Sequence, residues 1–138
     1  MICSEGMPSG RHPRGYNAFP RVLVRYVRDA SVVSLEEAIA KMTGRSAARL
    51  GLTDRGIIAV GRKADLVIFD ATAIADRGTP QEPDLSPVGI DPVIVNGTIV
   101  LSKGSPTGAR PGHALRPNRT QASARGLRIG GLRAFDGI

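Results

Sequence analysis

Tryptophan is absent from this 138-residue chain, which carries only three Phe and two Tyr. Any core must therefore be aliphatic, built from the 41% of residues that are hydrophobic. A single cysteine, Cys3, excludes an internal disulfide framework and fits a reducing compartment. The two histidines, His12 and His113, are too far from any His/Cys spacing that makes a zinc site, so no metal ligand is assigned. No apolar run approaches the roughly 20 residues that span a bilayer, and the N-terminus lacks the charged-then-apolar order of a secretory signal. A soluble cytoplasmic protein without a membrane partner is expected. The net charge of +7 is not gathered into a block. Residues 117–138 hold Arg119, Arg125, Arg128 and Arg133 against Asp136, and elsewhere bases and acids are mixed. Aromatic interleaving and zinc-finger spacing are missing, so no nucleic-acid partner is expected.

Glycine (17) and proline (10) are plentiful and mark much of the chain as turn and loop. Between them lie periodic segments. "FPRVLVRYVRD" places Phe19, Val22, Leu23, Tyr26 and Val27 on one helical face, with Pro20 tolerable only in a first turn. "SLEEAIAKMTG" is the clearest helix. Ser34 and Glu37 form a capping box, and Leu35, Ala38, Ile39 and Met42 make an apolar stripe. Glu37 and Lys41 pair at i, i+4, Gly44 supplies a stop, and Ser46 caps a further short helix through Leu50. After Gly51 the period changes. Ile57–Val60 and Leu66–Phe69 read as short buried strands, and residues 71–92, with four prolines, as a long loop. "VIVNGTIVL" reads as two strands about an Asn96-Gly97 type I′ turn. Residues 103–117 suggest extended segments and turns, and residues 118–138 have no pattern. Two strands and a hairpin make a thin sheet, so the apolar strands need a partner surface.

Taken as isolated residues, the polar candidates have plain readings. Glu5 is a loop carboxylate, Arg14 a solvated arginine, and His12 a surface loop histidine. Asp65 and Asp70 bracket a strand as turn-satisfying groups. Cys3 is a small hydrophobe with no base at a fitting spacing.

The segments together carry a family likeness. "DRGIIAVGRKADLVIFD" followed by "VIVNGTIVLSKG" resembles the closing part of amidohydrolase-superfamily enzymes, where the chain leaves a catalytic (β/α)8 barrel and finishes a small β-sandwich. "HPRGYNAFPRVLVRYVRD", "SLEEAIAKMTGRSAARLGLTDRG" and "TGARPGHALRP" are similar to the C-terminal part of D-aminoacylases, the N-acyl-D-amino-acid deacylases. The resemblance implies roles. Ser4-Glu5-Gly6 occupies the place of a Ser-Asp-Gly whose Asp is the catalytic acid/base, taking a proton from metal-bound water and passing it to the leaving amine. Glu5 keeps the carboxylate but is longer by one methylene, a displacement of roughly 1 Å that can cost about 100-fold. Arg14, in His-Pro-Arg, takes the place of the arginine that grips the substrate α-carboxylate. The family's zinc ligands, an early His-x-His and later Cys and His residues, have no counterpart in this sequence.

The expected fold is an α+β fragment: the last strand and helices of a metal-dependent (β/α)8 barrel, then the closing strands of a small β-sandwich. Residues 1–52 are assigned to the barrel end, 53–117 to the β-domain and 118–138 to a disordered tail outside the likeness. The expected parent reaction is zinc-dependent hydrolysis of an N-acyl-D-amino acid to a carboxylate and a D-amino acid, with this chain inactive alone. Two alternatives stand beside it: a non-catalytic piece that complements a separate barrel chain, and a small basic binding protein using the Arg-rich tail.

Overall fold

A computed structural model describes residues 1, 2, 4 and 12–115. Helices come first and strands second, the α+β order expected. Helix α1 (Arg14–Arg21) runs directly into a π-helical segment (Val22–Asp29), followed by α2 (Leu35–Met42) and α3 (Gly44–Arg49). Strands β1 (Leu66–Phe69), β2 (Ile90–Val95), β3 (Thr98–Ser102) and β4 (Ser105–Pro106) form one antiparallel sheet in sequential order.

The first helix departs from its expected limits. It starts at Arg14, immediately after Pro13 (φ −53°), so Pro13 is the proline that precedes the helix and Pro20 lies in its last turn. Pro20 removes a donor from the ladder. Beyond it the turns widen, as the Ala30 N–H donating to the Arg25 carbonyl at 3.1 Å shows. A wider turn does not keep a 3.6-residue stripe on one side. Phe19 and Tyr26 are accordingly 39% and 52% exposed, while the sequence neighbours Leu23 and Val24 are both buried.

Helix α2 is built as its sequence indicates. The Ser34 hydroxyl accepts from the Glu37 N–H at 3.2 Å, and Ala38 is fully buried. Instead of closing the capping box, the Glu37 carboxylate takes two 2.7 Å bonds from the Arg45 guanidinium, with Lys41 at 3.5 Å. Gly44 opens α3 rather than ending α2. A Cβ there would lie 3.1 Å from Ile57 Cγ2 and 3.2 Å from the Gly56 carbonyl, so the glycine serves close packing. Ser46 sits within α3, its hydroxyl bonded to the Lys41 carbonyl at 2.9 Å.

The Asn96-Gly97 hairpin forms as expected, with φ of 47° and 79° and Val95 opposite Thr98. A second two-residue turn, Lys103-Gly104, has the same signature (φ 50° and 72°) and pairs Ser102 with Ser105. Two strand limits are corrected. Strand β2 begins at Ile90 and takes in Pro92, inside the expected loop. Residues Ile57–Val60 form no strand at all. They have no ladder partner among the described residues, and Ile58 and Val60 are fully open to solvent.

One core ties the halves together. Leu23 and Val24 of the π segment, Ala38 of α2 and Ile74 of the 71–89 connection are buried in one cluster, with Phe69 and Ile90 packed against it. Burying Ile74 (2% exposed) contributes about 2 kcal/mol. No residue of β1–β4 is buried, so the sheet lends the core only its margins.

Candidate functional site

The helix that carries Arg14 is positioned from both ends. At its start, the Arg14 N–H donates to Nδ1 of His12 at 3.1 Å, and the Asn17 N–H donates to the Pro13 carbonyl at 2.8 Å. His12 thus closes an otherwise orphaned helix-terminal donor, which gives the loop histidine a capping task. Arg14 is the first helical residue and its side chain is solvent-exposed. Glu5, Cys3 and the Gly6–Arg11 loop lie outside the described residues, so the geometry between Glu5 and Arg14 is not described.

Along its length the same helix, with the π segment that continues it, grips the 71–89 connection, which acts as a strap. Asn17 Nδ2 donates to the Leu85 carbonyl at 2.9 Å. Arg21 Nε bonds Asp76 Oδ2 at 2.6 Å, and Arg28 Nη1 bonds the Thr72 and Ile74 carbonyls at 3.1 and 2.9 Å. Asn17 is 1% exposed, and its Oδ1 finds no donor among the described residues. Gly78 permits this contact, because a Cβ there would lie 2.7 Å from Asn17 Nδ2. At the strap's start, Asp70 Oδ1 accepts from the Thr72 hydroxyl and from the Thr72 and Ala73 N–H groups. These bonds, the Thr72 hydroxyl's foremost, hold the Asp70 carboxyl below the usual carboxylate range.

A second polar knot locks the sheet. Asp65 accepts from Arg55 on one oxygen and from the Asn96 N–H at 2.7 Å on the other. Arg55 also bonds Asp54, which lowers the Asp54 carboxyl and raises the guanidinium in return. Asp65 therefore anchors backbone, as its place before β1 suggests. The sequence reading missed Asn17, Arg21, Arg28 and Asp76. Asn17 and Arg21 are one helical turn apart, but the strap they hold has no period of its own to point back at them.

Among the described residues, no group of three or more His, Cys, Asp or Glu could hold an ion. His12 Nδ1 is taken by the helix, and Asp65, Asp70 and Asp76 by backbone or arginine partners. These residues do not fit a zinc site.

Comparison with known proteins places this arrangement. The amidohydrolase family model matches residues 6–101. The chain belongs to the amidohydrolase family. Within it, this amidohydrolase chain is 46% identical over 126 residues to N-acyl-D-glutamate deacylase of Alcaligenes xylosoxydans xylosoxydans, covering 90% of the chain and 26% of that relative. It is 44% identical over 117 residues to D-aminoacylase of the same organism, covering 83% and 24%. The solved N-acyl-D-glutamate deacylase of Bordetella bronchiseptica, complexed with zinc and a phosphonate mimic of the tetrahedral intermediate, superposes with a TM-score of 0.71. Identity to it is 47%, over 76% of this chain and 22% of that one. The chain thus spans about a quarter of the length of the curated relatives it matches. No helix among the described residues is long and apolar enough to cross a membrane.

Proposed function

We propose that this amidohydrolase chain supplies the substrate-facing rim and closing strands of a zinc-dependent N-acyl-D-amino-acid deacylase. The observation that carries the reading is the 46% identity to an N-acyl-D-glutamate deacylase across nine-tenths of the chain. In this reading residues 1–52 belong to the end of a (β/α)8 barrel, 53–117 to a β-sandwich, and 118–138 to a tail outside both. Arg14 binds the α-carboxylate of the acylated D-amino acid, its planar fork suiting a two-oxygen acceptor. Glu5, at the barrel rim, moves a proton to the departing amine. Zinc, bound by residues of the barrel part, supplies the activated water. Since the described donor set does not fit that metal, the chain alone does not hydrolyse the amide, and it acts in a cytoplasmic enzyme.

The test is a chimera in which this segment replaces the matching part of the Alcaligenes N-acyl-D-glutamate deacylase. The chimera should bind zinc and turn over slowly, and Glu5→Asp should raise kcat by up to about 100-fold with little change in KM. A folded, zinc-loaded chimera whose Glu5→Asp form remains inert would refute the reading.

A second reading has an observation of its own. The strands carry no buried side chain, and Val67, Ile68 and Ile99 of the sheet, with Ile57, Ile58 and Val60 outside it, leave apolar surface open. A separately encoded barrel chain bearing the zinc ligands would cover it and restore the site by complementation. Co-purification of such a chain supports this, and a chain that stays uncomplexed in its own lysate argues against it.

A further inference from the structure

We infer that Asn96 is a latent self-modification site, held off by two hydrogen bonds, one of which is released when residues 107–115 lift from the sheet. Three observations converge on this residue. Asn96 and Gly97 sit at the tip of the β2–β3 hairpin, and Gly97 is exposed, with nothing within 4 Å of where a Cβ would stand. An amide side chain followed by an unhindered glycine nitrogen is the pair most open to intramolecular attack. Here the glycine nitrogen and the side-chain amide are each hydrogen-bonded to another group. The Gly97 N–H, the would-be nucleophile, donates to the Ala64 carbonyl at 2.9 Å. The Asn96 side-chain NH2, the would-be leaving group, donates to the Pro111 carbonyl at 2.8 Å.

The chemistry balances without any cofactor. Loss of the Gly97 amide proton to solvent base lets that nitrogen attack Asn96 Cγ. The new C–N bond closes a five-membered succinimide as the Cγ–Nδ2 bond breaks, and Nδ2 takes a proton and leaves as ammonia. Water then opens the ring at either carbonyl, giving aspartate or isoaspartate.

Either product removes the latch that restrained it. A carboxylate at position 96 has no donor for the Pro111 carbonyl and adds negative charge beside Asp65, which already accepts from the Asn96 N–H. Isoaspartate also lengthens the backbone of a two-residue turn, which breaks the Val95–Thr98 pairing. The modification is therefore a one-way unlatching of the 107–115 segment. That segment is otherwise held by Thr107, whose N–H bonds the Val100 carbonyl at 3.0 Å and whose hydroxyl bonds the Ile99 carbonyl at 2.8 Å.

The experiment incubates the full chain in mildly alkaline buffer, with and without denaturing urea, and follows amide loss at Asn96 by peptide mass spectrometry in 18O-water. Conversion should be at least about tenfold slower in the folded chain, the effect expected from two intact hydrogen bonds. Thr107→Ala should speed it severalfold without urea, and Asn96→Asp should accelerate amide hydrogen exchange over residues 107–115. Equal rates in folded and unfolded chain, no response to Thr107→Ala, or unchanged exchange in Asn96→Asp would each overturn the inference.

Discussion

Ile74→Ala tests whether the helices and the sheet are one cooperative unit. Ile74 is the largest apolar side chain fully buried among the described residues, and it comes from an irregular strap rather than from a helix or strand. It packs in the cluster with Leu23, Val24 and Ala38, while Phe69 and Ile90 abut from the strand side. Its backbone is also fixed: its N–H donates to the Asp70 carbonyl at 2.8 Å, and its carbonyl accepts from Arg28 at 2.9 Å. The surroundings therefore cannot collapse easily into a void. Truncation to alanine should cost about 3 kcal/mol, against about 1 kcal/mol for Ile74→Val. With tryptophan absent, the assay is urea unfolding followed by far-UV circular dichroism, with hydrogen exchange to resolve α2 from β2. Both elements should lose protection together by about the same free energy. An Ile74→Ala chain with an unchanged midpoint, or one in which only one element loosens, would show that the cluster does not unite them.

Asp65→Ala should destabilise by about 1–3 kcal/mol, because it leaves the Asn96 N–H without its acceptor and takes from Arg55 one of its two carboxylate partners. Asp65→Asn, which keeps an acceptor for Asn96, should cost less, and chemical denaturation of the pair measures the difference. Gly78→Ala drives a methyl against Asn17 and the Pro83 carbonyl, so exchange across residues 74–88 should rise while the β2–β3 hairpin is spared. Acid should loosen the strap through Asp70. Its folded-state value is depressed below the unfolded value of about 3.9, so its contribution is complete above that pH and disappears as pH falls through the lower folded value. Asp70→Asn should flatten that part of the acid-unfolding profile.

How much of this was legible in the sequence depends on whether the signal was local. Ser34 with Glu37, and Asn96 with Gly97, form bonds or turns between near neighbours, and both appeared where the pattern put them. Leu66–Phe69 and Ile57–Val60 are equally apolar, yet the first became a strand because Val93 and Ile94 stood ready to pair with it. The second has no such partner among the described residues, which no local pattern records. The Phe19–Val27 stripe held only in part: Val22, Leu23 and Val27 reach the core, but Phe19 and Tyr26 do not, since the pattern assumed a 3.6-residue turn that the π segment does not keep. Asn17, Arg21 and Arg28 were invisible as a set because their partners lie 44 to 68 residues away. Arg14, given its role by resemblance alone, lies on a helix braced by these contacts, while Glu5 falls outside the described residues.

In the proposed function this chain contributes to a deacylase site whose metal is held elsewhere. The most direct measurement is hydrolysis of N-acyl-D-glutamate with zinc present, by the purified chain alone and mixed with the remainder of the Alcaligenes deacylase. We expect no turnover by the chain alone, turnover in the mixture, and a large rise in KM when the mixed chain carries Arg14→Ala. Zinc-dependent turnover by the 138-residue chain alone, or a mixture indifferent to Arg14→Ala, would contradict it.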